Sequence, residues 1–488
     1  MAINIGAAES ISEPATSQKK LSGNMGSLSL AMTVLAFSAP LTTVAGYIPV
    51  SLMFGGVGSP LLFVFVSVMM LLFGIGYVTL NNAVKRSGDF YSFISYGLGK
   101  SAGLGAGLTA AVSYFVLLAG VTSYFGVSCA ELQTSLTGSA FPWYAYALSC
   151  WAVVGILGYF HVELSAKVLL WVMLAEIVVC LGFSFGVLQV GGDTTLAAMT
   201  PFSPSELTKE GVNIPFSMLF VVSFFMGFEA TALYRDELKD PDTTIPRATY
   251  GSILFIGAMY IICVYALIMA YGPSAQAVAT DSPATMFSNA FGRFIDPRLQ
   301  MIITVLVLSS AFASALSTHN VLARYLFNLG TDGALPKPLS RIHVKHGSPF
   351  ASSMAVSTMV LLVLFPFIVI GAKPELLYGQ LSGVGTSGVI ILMTVVNLSS
   401  LTWYLRKGRY EGISFAKAFL APAISSVFFI GLVGLVAYHF ELLVGGEPGE
   451  RTWLLYCLVG VLFAGMALAQ YFKRNRPAVY ERLGRSHP

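Results

Sequence analysis

Charge is what this sequence has least of. Asp, Glu, Lys and Arg make up 10% of its 488 residues, where an ordinary soluble chain carries about a quarter. That scarcity excludes a solvated globular surface, and the net charge of +4 is too thinly spread to suggest a nucleic-acid partner. Cysteine is also scarce: Cys129, Cys150, Cys180, Cys263 and Cys457 show no CxxC spacing, so neither a disulfide framework nor a zinc site is indicated. No metal-ligand cluster and no nucleophile–base set is legible, which argues against an enzyme and against a cofactor. Gly97-Leu98-Gly99-Lys100-Ser101 looks like part of a phosphate-binding loop, but Ile94 stands where that loop needs its first glycine. With no ATP-binding motif, a primary pump is unsupported. The first residues, Met1 to Ser27, lack the short apolar core of a cleaved signal.

Apolar residues are abundant. They form 56% of the chain, and the mean hydropathy is +0.76. They fall into runs long enough to cross a bilayer. Twelve are expected: Leu28–Phe54, Pro60–Leu80, Leu104–Val127, Trp143–Tyr159, Val168–Val190, Ile214–Leu233, Tyr250–Ala270, Leu299–Leu322, Ala351–Ile370, Leu376–Leu398, Ala418–His439 and Leu454–Phe472. With that count, 22 of the 27 lysines and arginines fall on one side, leaving only Lys209, Arg293, Arg298, Lys373 and Arg451 on the other. The positive-inside rule then places both termini in the cytoplasm of a multi-pass protein of the plasma or inner membrane. The expected division is a tail at 1–27, a core at 28–398, two further helices at 399–473 and a tail at 474–488.

Two of these spans are interrupted. Pro40, in Ser38-Ala39-Pro40-Leu41-Thr42-Thr43, lacks an N–H and clashes with the preceding turn, so the first span is expected to break near Phe37–Thr43. The sixth carries Ser223-Phe224-Phe225-Met226-Gly227-Phe228-Glu229, a glycine and an acid inside an apolar run. Hydrocarbon tolerates such an acid only facing a cavity or a partner. Its plainer explanation is a packing glycine beside a protonated, hydrogen-bonded Glu229. Breaks in spans one and six correspond if helices one to five and six to ten are inverted repeats, and such pairs point to a midplane binding site.

The chain resembles the amino acid–polyamine–organocation transporters from about Leu28 to Val395. Gly227-Phe228-Glu229 with Asp240-Pro241-Asp242-Thr243-Thr244-Ile245-Pro246-Arg247, Ser87-Gly88-Asp89-Phe90-Tyr91, and Ala323-Arg324-Tyr325 with Gly333-Ala334-Leu335-Pro336 carry the similarity. The resemblance implies an all-α membrane fold of about twelve helices: a five-plus-five inverted repeat with broken helices one and six, then two trailing helices. It also implies a secondary transporter for amino acids or small amines. The alternatives are a polyamine permease, an exchanger, and a non-transporting sensor or channel on the same scaffold. The chain departs from the family where many members have a Gly-Ser/Ala-Gly turn that offers amides to a substrate carboxylate; Thr42-Thr43-Val44 stands there.

The expected substrate site is therefore Thr42, Thr43, Val44, Ala45 and Gly46 facing Ser223, Phe225, Met226 and Gly227. Glu229 and Glu176 are the candidate proton-coupling acids. Near Glu176 several family members place a polar residue that replaces a sodium ion, although a structural acid making one interhelical hydrogen bond fits the sequence equally. Ser309-Ser310 and Ser317-Thr318 could line a sodium site or simply satisfy helix backbones. His161 and His319 read as satisfied polar residues near helix ends. Arg235, Asp236, Glu237, Lys239, Asp240, Asp242 and Arg247 could form inter-helix ion pairs that latch an inward gate, but they read mostly as a solvated face, since exposed ion pairs contribute little singly.

Overall fold

A computed structural model describes residues 25–484, apart from 161, 194, 344–345, 372–373, 446 and 448 and the side chains of 162–168 and 374–376. His161 lies outside the described residues. Apolar runs with no water to satisfy their backbone must pair it internally, and the chain answers with helices throughout. Eleven helical stretches are long and apolar enough to cross a membrane.

The first stretch, Ser27–Val84, is 58 residues long and supplies two crossings. Gly56 at φ +61° reverses it. Phe37 and Tyr77, about equally far from that turn, both return to the same place: Phe37 lies against Gly227, and the Tyr77 hydroxyl donates to the Glu229 carbonyl. The described residues thus hold twelve candidate crossings, an even number, which returns the last to the face of the bundle from which the first departs. We call that face N-terminal; Met25 lies on it, bridged to Leu238.

The first span comprises Ser27–Phe37, a short turn Pro40–Thr42, a π-helical segment Thr43–Tyr47, and Ile48–Gly55. The second is Ser59–Val84 and the third Lys100–Thr137, with a short helix Asp89–Leu98 between them. The fourth and fifth are Trp143–Phe160 and Val162–Val190. The sixth is α-helical over Ile214–Ser223 and resumes as a 3-10 helix over Phe228–Glu237. The seventh to tenth are Pro241–Tyr271, Gln300–Thr331, Phe350–Val369 and Pro374–Trp403, and the last two are Ala421–Tyr438 and Thr452–Asn475.

The tenth helix therefore continues past the expected boundary at 398. After the twelfth, the expected tail at 474 is partly ordered as Pro477–Arg482, and Leu483 behind it is buried. The third helix packs against the eighth, tenth and twelfth. The sixth is the most enclosed span, whereas the fourth and twelfth are among the least covered by protein.

Helical period explains how one span carries both lipid and an acid. On the fifth, Trp171, Val178 and Phe185 form an exposed stripe at seven-residue spacing. Met173, Glu176, Cys180, Phe183 and Val187 occupy the buried face.

Candidate functional site: two broken helices around a cavity

The first span breaks at Ser38 and Ala39. Ala39 has φ +44°, a conformation costly for a residue with a Cβ, on the order of 1–3 kcal/mol. Pro40 offers no N–H to resist it. Hydroxyls then take up the released carbonyls: Ser314 of the eighth span donates to the Phe37 carbonyl at 2.9 Å, and Thr43 of the first span itself donates to the Ser38 carbonyl at 2.7 Å.

Glu176 reaches the same break from the fifth span. Its Oε2 accepts the Leu41 N–H at 3.1 Å and the Ser310 hydroxyl at 2.6 Å, while Ser310 Oγ also accepts the Thr42 N–H at 3.3 Å. Glu176 Oε1 is buried without a partner. This acid therefore couples spans one, five and eight. Of the other hydroxyls considered there, Ser317 donates to the Thr33 carbonyl and Thr318 to that of Ser314, and Ser309 donates to the Leu306 carbonyl.

The sixth span stops at Ser223 and turns on Gly227, whose φ of +115° favours glycine. The Glu229 carboxylate holds the turn. Its Oε2 accepts the Gly227 N–H at 2.7 Å and its Oε1 accepts the Tyr114 hydroxyl at 2.8 Å. A Cβ added at Gly227 would stand 2.6 Å from Phe37 Cβ and 2.7 Å from the Val34 carbonyl, so the sixth break lies directly against the first.

Beside the breaks lies a cavity of about 110 Å³. Thr42 and Thr43 line it, with Ser223, Phe224 and Met226 opposite, and Tyr124 and Thr386 contributed by the third and tenth helices. A second cavity, of about 220 Å³, shares Tyr47, Tyr124, Ser223, Ser382 and Thr386 with the first and reaches Gly46, Val50 and Leu219. It extends toward the face opposite the N-terminal one. Neither lining contains Asp, Glu, Lys, Arg or His.

Below the cavity the N-terminal face is closed by buried polar contacts. Asp89 accepts the hydroxyls of Tyr77 and Tyr325, each at 2.8 Å. Burial, with the Glu229 charge adding to it, pushes the Asp89 carboxyl well above the usual carboxylate range, against the pull of those two bonds. Glu237 receives Arg324 through both oxygens, at 2.6 and 2.7 Å. The guanidinium lies 4.1 Å from the Tyr234 ring centre, an attractive stack.

The charged cluster after span six thus divides. Lys239, Asp240, Asp242 and Arg247 are exposed, and Arg235 and Glu237 are buried. Arg235 is also paired with Asp242. His319 is buried near this end with Nε2 3.2 Å from Ser357 Oγ.

Of the residues expected at the site, Thr42, Thr43, Ser223 and Met226 line the inner cavity and Gly46 the outer one. Val44 and Ala45 do not, because helical spacing that turns Thr43, Gly46 and Tyr47 inward turns those two away. The same geometry puts Phe224 on the cavity instead of Phe225. The Phe225 ring lies toward Gly257 of the seventh span. Gly227 forms the contact between the breaks. Glu176 and Glu229 stand behind the breaks, outside the lining.

Sequence reasoning missed Leu117, Val121 and Tyr124 of the third helix and Ser382 and Thr386 of the tenth. Their spacings of three and four residues were the available signal. Nothing in their composition separated them from ordinary packing stripes.

Comparison with known proteins agrees with this architecture. The low-affinity putrescine importer PlaP of Escherichia coli (strain K12) is 21% identical over 96% of this chain and 98% of its own length. The L-asparagine permease of the same strain is 24% identical over 80% of this chain and 77% of its own. The branched-chain amino acid permease BcaP of Lactococcus lactis is also 24% identical, over 78% of this chain and 82% of its own. The amino acid permease family profile matches residues 29–470, and the chain, a membrane permease and not an enzyme, belongs to that family.

Proposed function

We propose that this protein is a secondary active transporter that imports amino acids or related small amines together with protons, by alternating access. In this reading both termini lie in the cytoplasm, the first ten helices form two inverted five-helix repeats, and the N-terminal face is the inward gate. One observation carries the reading. A small cavity sits between two helix breaks, closed on one face by buried polar contacts and continued toward the other by a second cavity. A site closed on one side and continued toward the other is what alternating access requires, and this supports the reading. One relative is a putrescine importer and two are amino acid permeases, which supports the substrate range.

Glu176 and Glu229 are the coupling acids in this proposal. Each bridges a break to other helices, so gaining or losing a proton changes what holds the break. Uptake of labelled amino acids and amines into proteoliposomes should require an inwardly directed proton gradient; uptake indifferent to that gradient, or following sodium, rejects proton coupling. Glu176→Gln, which cannot release a proton, should retain counterflow at near wild-type rates and lose most of the gradient-driven uptake. Glu229→Gln should remain abundant in the membrane while the pH dependence of uptake flattens. An unchanged pH profile in this variant rules Glu229 out as a coupling site.

A further inference from the structure

The sign of the groups left over at the two breaks is informative. In the first, Ser38 and Ala39 N–H bond the Leu35 and Ala36 carbonyls, and Thr43 N–H bonds that of Ala39. Pro40 has no N–H. Glu176 takes the Leu41 N–H and Ser310 takes that of Thr42. In the sixth span, Phe224, Phe225 and Met226 N–H bond the Val221, Val222 and Ser223 carbonyls, and Glu229 takes the Gly227 N–H. Every backbone donor from 38 to 43 and from 224 to 227 is therefore committed within the protein. The carbonyls of Phe224, Phe225 and Met226, by contrast, receive no hydrogen bond among the described residues.

Side chains lean the same way. The carboxyl groups of Glu176 and Glu229 bond the breaks directly, and neither break is bonded by a cationic side chain among the described residues. Aromatic rings border the space: Tyr47 and Phe224 meet at 6.3 Å between ring centres, and Phe37 and Tyr124 also line it. Ring faces attract cations. The Ser and Thr hydroxyls can donate or accept and do not decide the sign.

Building on the transporter reading above, we infer that the site recognises small organic amines by their ammonium group and does not require a carboxylate. The Glu176 and Ser310 side chains occupy the amides that a substrate carboxylate would use at the first break. An ammonium finds the unbonded carbonyls of Phe224 and Met226, two residues of the lining, and the aromatic rings beside them. A carboxylate finds only hydroxyls. The inner cavity of about 110 Å³ falls below the range of about 300–1,000 Å³ typical of drug-sized ligands, which suits a short alkylamine.

Matched pairs that differ by one carboxylate test this. Leucine with 3-methylbutylamine, and ornithine with putrescine, should be titrated into the purified full-length protein at neutral pH, and the same compounds tested for uptake in proteoliposomes. Each amine should bind at least about tenfold more tightly than its parent amino acid, a difference well within the worth of one desolvated ionic group. Phe224→Leu, which removes the ring and keeps an apolar side chain, should weaken the amine about fivefold while the protein stays folded and monodisperse; undiminished amine affinity in this variant removes the ring from the ammonium site. If the amino acids bind as tightly as the amines or more so and are taken up, the inference is overturned and the transporter reading stands. If a folded, monodisperse protein neither binds nor takes up any of the four, both fail.

Discussion

Arg324→Ala destabilises the closed state by about 3–5 kcal/mol, the usual consequence of leaving one half of a buried ion pair behind. Arg324 and Glu237 expose 2% and 4% of their side chains, and they meet through both carboxylate oxygens. Removing the guanidinium strands the carboxylate beside Tyr234 with no water to solvate it. It also removes the tie between the eighth helix and the end of the sixth. Two results should follow together: a lower unfolding midpoint in detergent, and faster alkylation of a cysteine placed at Ser87, whose hydroxyl now donates to the Leu233 carbonyl in that contact. Arg324→Met paired with Glu237→Leu should recover most of the midpoint, since two apolar groups leave no buried charge unpaired, while the cysteine stays reactive. A single Arg324→Ala variant as stable and as unreactive as wild type would show that the pair does not hold this face closed.

The importance of Glu237 was not legible from its own neighbourhood. Between Arg235 and Arg247 the chain reads as a run of mixed charge, which most often means a solvated face. What buries Glu237 is an arginine 87 residues later on another helix, and no local pattern announces such a partner. Gly227 and Glu229 were legible for the opposite reason, since an acid in an apolar run is conspicuous wherever it sits. The twelve crossings were legible because hydrocarbon forces every backbone group into helix. The run from Ser27 to Val84 still needed its Gly-Val-Gly turn to be recognised as two spans. Pro40 marked the first break to within a residue or two. Which N–H and C=O groups the break leaves open depends on Glu176 and Ser310 arriving from other helices, and the sequence does not specify that ownership. The contrast between Phe224 and Phe225 is similar: the two are chemically identical neighbours, and only the angle at which helix six ends separates them.

Gly227→Leu should abolish uptake while leaving membrane insertion intact. Two independent costs meet at this position. The backbone sits at φ +115°, which a residue with a Cβ adopts only under strain of about 1–3 kcal/mol. The new Cβ would also fall 2.6 Å from Phe37 Cβ and 2.7 Å from the Val34 carbonyl, inside van der Waals contact and partly against backbone that cannot swing aside. Relief requires spans one and six to separate, which pulls the Gly227 N–H from Glu229 Oε2 and deforms the cavity between Thr43 and Met226. Insertion depends on the apolar length of each span, and one leucine in place of glycine lengthens none of them. Gly227→Ala carries the same Cβ with less bulk and should retain a small residual rate, ordering the series glycine, alanine, leucine. Equal uptake by the three, at matched membrane abundance, would place the substrate path away from the junction of the two breaks.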